Sequence, residues 1–159
     1  MTFTKIHVLI SLIGIATGVV VLIGLITGKR FNGWTAWFLV STVATSVSGF
    51  LFPFHGVTPA IITGLISLLV LAVAIFARYF GRLVGAWRLI YVVTAMIALY
   101  LNVFVLIAQL FQKVPALNAL APTQTEPPFL VAQLSTLIIF VLLTIAAAIR
   151  FRIKSVESV

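Results

Sequence analysis

Long stretches without a charged side chain constrain this protein more than any other feature of its sequence. No Lys, Arg, Asp or Glu occurs in residues 31–77, 89–112 or 127–149. A helix needs about 20 apolar residues to cross the hydrocarbon of a bilayer, and each stretch is long enough to contain one. About a quarter of the residues of a soluble domain are charged, whereas here the fraction is 8%. The sequence therefore predicts an integral membrane protein.

Five apolar segments predict an all-α protein with five transmembrane helices. The strands of membrane barrels alternate polar and apolar residues over about ten positions, and these segments do not alternate. Most connections are short, so consecutive helices should be antiparallel neighbours in a compact bundle that forms a single domain over residues 1–159. The predicted spans are residues 6–27, 34–52, 59–80, 87–112 and 129–149, and the longest connection is 113–128.

The basic residues predict which end of the bundle faces the cytoplasm, because cytoplasmic loops are enriched in Lys and Arg. Five spans place eight basic residues on one side and two on the other: Lys29, Arg30, Arg78, Arg82, Arg88, Arg150, Arg152 and Lys154 against Lys5 and Lys113. We therefore expect the amino terminus outside, the carboxyl terminus in the cytoplasm, and a multi-pass position in the cell (inner) membrane. Basic residues at helix ends meet anionic headgroups, so the net charge of +8 predicts membrane lipid as a partner and no nucleic acid.

The fourth predicted span carries small and polar residues on one face. They recur every three or four positions, which is the spacing of one helix face: Tyr91, Ala95, Ala98, Asn102, Val105, Gln109 and Gln112. Lipid cannot satisfy amide groups, so this face must contact protein or water. Gln133 lies at a matching depth in the fifth span and could meet Gln109. Two interpretations stay open: hydrogen bonds between helices, or an outward-facing cavity for a small polar group or the head of a lipid-like molecule.

The connection at 113–128 should form part of the outer surface. It holds four of the six prolines, and Glu126 is one of only two acidic residues in the chain. The segment "ALNAL" predicts a short helical turn at the membrane surface. Glu126 precedes the fifth span, where a carboxylate interacts favourably with the helix dipole. The candidate ligand-binding residues are Asn102, Gln109, Gln112, Glu126 and Gln133.

Catalytic and cofactor-binding patterns are scarce. The chain has no cysteine and no aspartate, which excludes thiolate chemistry and leaves little for acid–base catalysis. We expect a non-enzymatic protein without a cofactor. Both histidines, His7 and His55, fall on the outer side, and two histidines can bind a haem or contribute to a transition-metal site. Their spacing does not preorganise such a site, and this remains an alternative.

These observations predict a small membrane protein whose outer face binds a hydrophobic or amphipathic ligand or a partner membrane subunit. A second possibility is a small transporter or channel for a neutral solute, because no ionisable residue lies deep in the predicted spans. Small residues on the first span, Gly14 and Gly18, predict close helix packing and could support a homo-oligomer. A redox protein that uses His7 and His55 is the third possibility.

Overall fold

The computed structural model describes residues 2–53, 56 and 59–153, and all regular structure in those residues is helical. This confirms the all-α prediction for the part of the chain described. The helices are α1 (Phe3–Thr27), α2 (Asn32–Gly49), α3 (Pro59–Ile75), α4 (Ala86–Lys113), α5 (Pro115–Leu120) and α6 (Pro127–Ile153). A π-helical turn, Phe76–Phe80, extends α3.

Among the residues that the structure describes, four helices are long and apolar enough to cross a membrane, so the chain is a multi-pass membrane protein. They are α1, α3 together with its π-helical extension, α4, and α6 as far as Phe151. α2 is shorter, at 18 residues, and its hydroxyl side chains make it more polar. Ser41 Oγ donates to the Trp37 carbonyl at 2.6 Å and Thr45 Oγ1 to the Ser41 carbonyl at 2.9 Å. These bonds satisfy the hydroxyls within the helix itself.

α4 occupies the middle of the bundle, in contact with α1, α3 and α6, while α2 packs against both α1 and α3. The stripe predicted on α4 explains this position. Tyr91, Ala95, Ala98 and Asn102 are all buried, with Tyr91 and Ala98 completely so. Small residues on this face let neighbouring helices approach closely, which is the main source of helix association in lipid.

The glycines of α1 make the closest helix contacts. A Cβ atom at Gly18 would lie 2.5 Å from Leu99 Cδ1 and 2.9 Å from Phe38 Cε2. At Gly14 the nearest atoms are hydroxyl oxygens of α2, those of Ser41 and Thr42, both 3.3 Å away. The predicted packing role of these two glycines is therefore confirmed. Because they face α2 and α4 of the same chain, this surface is not free to contact a second copy.

Contacts between helix ends show that α1 and α2 are antiparallel, as are α2 and α3. The His7 ring contacts Ser48, which joins the start of α1 to the end of α2 at 2.8 Å. Arg78 donates to Asn32 Oδ1 at 2.7 Å, which joins the end of the α3 segment to the start of α2. We call the end of the bundle that contains His7, Ser48 and Lys113 the histidine end, and the end that contains Asn32 and Arg78 the arginine end.

Helix boundaries differ from the predicted spans by a few residues. α2 begins at Asn32 and ends at Gly49, whereas the predicted span covered 34–52. The predicted helical turn in the 113–128 connection is present as α5, with Pro115 in its first turn. α6 also begins with proline, at Pro127. Proline fits there because the first turn of a helix needs no N–H from it.

A candidate ligand cavity at the histidine end

A cavity of about 420 Å³ lies between α1, α2, α3 and α4 at the histidine end. Its lining on α4 runs from Leu101 to Lys113, a length of about 18 Å at the rise of an α-helix. Most of the wall is apolar, and a few polar side chains interrupt it. Clefts of this volume, with few polar groups in an apolar wall, are typical of small-molecule sites.

Asn102 lies at the deep end of the cavity. It is 7% exposed, and its Nδ2 donates to Thr42 Oγ1 at 3.3 Å. Its Oδ1 has no hydrogen-bond partner among the residues that the structure describes. One turn along α2 from Thr42, Ser46 Oγ donates to the Thr42 carbonyl at 3.0 Å and lies 3.2 Å from Ser67 Oγ, a contact that joins α2 to α3. The deep end thus offers polar atoms to a ligand.

His7 forms part of the wall near the mouth. Ser48 Oγ donates to the Thr45 carbonyl at 3.1 Å, so the 2.8 Å contact with His7 is best satisfied by His7 Nδ1–H as the donor. The edge of the ring packs against Phe52, with centroids 5.1 Å apart at 89°. These contacts fix the ring between α1 and the end of α2.

The structure describes one of the two predicted haem or metal ligands, His7, because His55 lies outside the described residues. Within them, no group of three His, Cys, Asp or Glu side chains could hold a metal ion. His7 instead has the Ser48 and Phe52 contacts given above.

Gln109 and Lys113 line the same cavity nearer its mouth. They are four residues apart on α4, so they lie on one face of that helix. Gln109 is half-buried and Lys113 is exposed. Neither side chain has a hydrogen bond to another residue in the described part of the chain. Lys113 was counted only as a helix-end charge in the sequence, because its place in a cavity depends on how four helices meet.

Gln112 points to the loop rather than the cavity. Its Nε2 donates to Gln124 Oε1 at 3.3 Å, and Gln124 Nε2 donates to the Ala108 carbonyl at 2.7 Å. Gln124 adopts a left-handed backbone, with φ of 60°. It ties the loop to α4, a role that sequence reasoning missed since no local pattern around Gln124 indicates it.

Glu126 is held by its own loop. Its carboxylate accepts hydrogen bonds from Thr123 Oγ1 at 2.8 Å, from the Thr123 N–H at 3.2 Å and from the Thr125 N–H at 3.1 Å. Desolvation acts to raise the pKa of Glu126, but these bonds to the ionised form outweigh it and hold the pKa below its ordinary value. The Glu126 carbonyl accepts from the Phe129 and Leu130 N–H groups and so begins α6.

Gln133 lies between α6 and α4. Its Nε2 donates to the Phe104 carbonyl at 3.1 Å, while its buried Oε1 has no partner in the described part of the chain. Gln109 is therefore not its partner, and the predicted amide pair does not form.

The cavity gathers three of the predicted residues: His7, Asn102 and Gln109. Gln112, Glu126 and Gln133 do not line it. Comparison of the chain with models of protein families, with curated proteins and with solved structures gives no match.

Proposed function

We propose that this protein binds an amphipathic, lipid-like molecule in the cavity at its histidine end and has no enzymatic activity. The observation that carries the proposal is the cavity of about 420 Å³ itself. Asn102 supplies an amide at its deep end, and Gln109 and His7 supply polar groups nearer the mouth. A partner membrane subunit would need no such internal space, so the cavity favours a small molecule over a subunit.

All five long helices are proposed to span the membrane, including α2. α2 packs between α1 and α3, and its two ends lie beside ends of those helices. Its polar side chains Thr35, Ser41 and Thr42 are buried by protein. A helix whose polar face is covered in this way can lie at membrane depth without exposing hydroxyls to lipid.

The histidine end is proposed to face outward, from the cell (inner) membrane, with the arginine end in the cytoplasm. The distribution of eight basic residues against two supports this orientation. The chain has no cysteine, so single cysteines can be introduced without background labelling. An impermeant thiol reagent applied to intact cells should label Thr123→Cys but not Arg82→Cys. Labelling of Arg82→Cys alone would reverse the proposed orientation.

Binding is favoured over conduction because the cavity is closed below Asn102. The interior there is filled by Phe38, Leu99 and Tyr91, each at most 1% exposed. Gly18 leaves no space beside them, since even a Cβ atom would lie 2.5 Å from Leu99. Packing of this kind supports a binding protein over a channel.

Native mass spectrometry of gently extracted protein tests the proposal directly. We expect a bound amphiphile in the wild-type spectrum and its loss in Gly49→Leu. Gly49 lines the cavity, and a Cβ atom there would have only His7 Cε1, at 3.8 Å, as a neighbour. The Cβ atom of a leucine therefore fits without a clash, and the rest of the side chain extends into the cavity.

Gly33→Leu is the matched control, because a Cβ atom at Gly33 has nothing within 4 Å and the residue lies at the other end of α2. On α4, Gln109→Leu should weaken binding, whereas Gln112→Leu should not, since only Gln109 lines the cavity. Equal retention of the amphiphile by Gly49→Leu and Gly33→Leu would exclude the cavity as its site.

A further inference from the structure

The charge of the cavity lining is positive. Lys113 is the only charged residue in its lining, and no carboxylate lines it in the described part of the chain. Glu126, the one acidic side chain described, is engaged by Thr123 and Thr125. A cation at the mouth of a cavity is therefore left without an anionic partner among the described residues.

The residues that approach Lys113 would suit an anionic group. Gln109, one turn earlier on α4, carries an amide N–H₂ that can donate to the same oxygen atoms. Lys113 is exposed, so its ammonium group sits at the wet edge of the bundle. The lining below is apolar, with Val105, Leu106 and Leu101 following along α4. Charge at the edge and hydrocarbon beneath it match an amphiphile with its head outward.

We propose that the ligand is a single-chain amphiphile with an anionic head, such as a long-chain carboxylate, and that Lys113 binds the head. This proposal rests on the proposed function, since it assigns chemistry to the same cavity. The volume of about 420 Å³ lies in the lower part of the range for drug-sized ligands, which suits one hydrocarbon chain better than two. Lys113 acts here as a point charge.

A pair of ligands with equal chains tests the charge of the head. Binding of tetradecanoate and of tetradecanol is measured at pH 8 to the full chain in nanodiscs of zwitterionic lipid. We expect the wild-type protein to prefer the carboxylate. Lys113→Gln should weaken tetradecanoate binding about fivefold, since one Lys near a membrane surface contributes about that much with anions, and should leave tetradecanol binding unchanged.

Lys5→Gln is the matched control. Lys5 is the other basic residue of the histidine end but does not line the cavity, so its loss should change neither affinity. Lys113→Arg retains the charge and should retain the preference. High salt should narrow the preference in the wild-type protein by screening.

The outcomes separate the two proposals. If neither ligand binds, the proposed function fails. If both bind equally and Lys113→Gln changes neither, the cavity still binds amphiphiles and the anionic head is wrong. If Lys5→Gln weakens tetradecanoate as much as Lys113→Gln does, the preference belongs to the general charge of the membrane surface and the role assigned to Lys113 is overturned.

Discussion

The two ends of the bundle share α1, α2, α3 and α4, yet one is hollow and the other is filled. At the arginine end, Phe38 and Tyr91 occupy the interior and are at most 1% exposed. At the histidine end, the same face of α4 continues with Asn102, Val105 and Gln109, and a cavity lies beside them. The side chains that fill the arginine end come from two helices, since Phe38 lies on α2 and Tyr91 on α4.

The difference in packing indicates different roles for the two ends. Lipid gives helices no hydrophobic reason to associate, so close packing and interhelical hydrogen bonds hold the bundle together. Gly18 lies directly against Leu99 and Phe38, and Arg78 donates a hydrogen bond to Asn32. The histidine end joins its helices through a few polar contacts, such as His7 with Ser48. We therefore expect stability to reside near the arginine end and ligand binding at the histidine end.

The largest expected effect on stability comes from Gly18→Ala, which is compared with Gly49→Ala at the histidine end. Gly18→Ala should lower the free energy of unfolding by about 1–3 kcal/mol, the usual cost of overpacking. The new Cβ atom would lie 2.5 Å from Leu99 and 2.9 Å from Phe38, both almost completely buried and unable to move aside freely. Gly49→Ala should be nearly neutral, because the nearest atom to a Cβ atom at Gly49 is 3.8 Å away. Unfolding in mixed micelles measures both; equal losses would remove the contrast between the ends.

The next largest effect on stability is expected at Arg78, which contacts α2 and α4 from the end of the α3 segment. Arg78 donates to Asn32 at 2.7 Å and its guanidinium lies 5.2 Å from the centroid of the Tyr91 ring. Arg78→Met should therefore destabilise the bundle by about 1 kcal/mol, the scale of an exposed cation–π contact with a supporting hydrogen bond. Arg82→Met removes the same charge from the same end and serves as the control. A similar loss in both variants would mean that charge at the membrane surface, and not the contact with α2 and α4, stabilises this end.

How much of this architecture the sequence could predict depends on the range of the interactions. Uncharged segments arise from local composition, so the bounds of the long helices were predicted within a few residues. Asn102 and Gln109 were found through helical spacing, which is also local. Ser67 and Lys113 were missed as cavity residues, and Gln112 was misplaced, because those contacts depend on how separate helices rotate against each other.

In the 113–128 connection, too, local features were predicted and contacts between distant residues were not. Its helical turn was predicted from "ALNAL", and Pro115 and Pro127 mark helix starts that proline favours. The hydrogen bonds of Gln124 were not predicted, because its φ of 60° and its reach to Ala108 follow from the closed loop. The sequence predicted an interaction of Glu126 with the dipole of α6, but it did not predict the hydrogen bonds that its carboxylate accepts from Thr123 and Thr125.

Two buried side-chain amides, Asn102 and Gln133, should contribute differently to the stability of the protein. Asn102→Leu should cost about 0.6 kcal/mol, the average for an interhelical hydrogen bond in a membrane protein, because it removes the bond to Thr42. Gln133→Leu should cost less or even stabilise, since it also removes a buried Oε1 that has no partner in the described residues. Chemical unfolding of both variants in the same detergent gives the comparison. A larger loss for Gln133→Leu would show that its bond to Phe104 matters more than the unpaired oxygen.

The smallest expected effect is a pH response confined to the loop at the histidine end. Because the pKa of Glu126 is lower in the folded protein than its ordinary value of 4.5, the carboxylate favours the folded loop at any pH above 4.5. That contribution falls as pH drops below 4.5 and is gone below the folded pKa, where Glu126 is protonated in both states. The amide resonances of Thr123 and Thr125 should titrate with a midpoint below 4.5 in micelles, and Glu126→Gln should abolish the titration. A midpoint at or above 4.5 would mean that desolvation outweighs the three hydrogen bonds. The arginine end has no acidic side chain among the described residues, so its amides should show no such step, and the two ends would then differ in pH response as they do in packing.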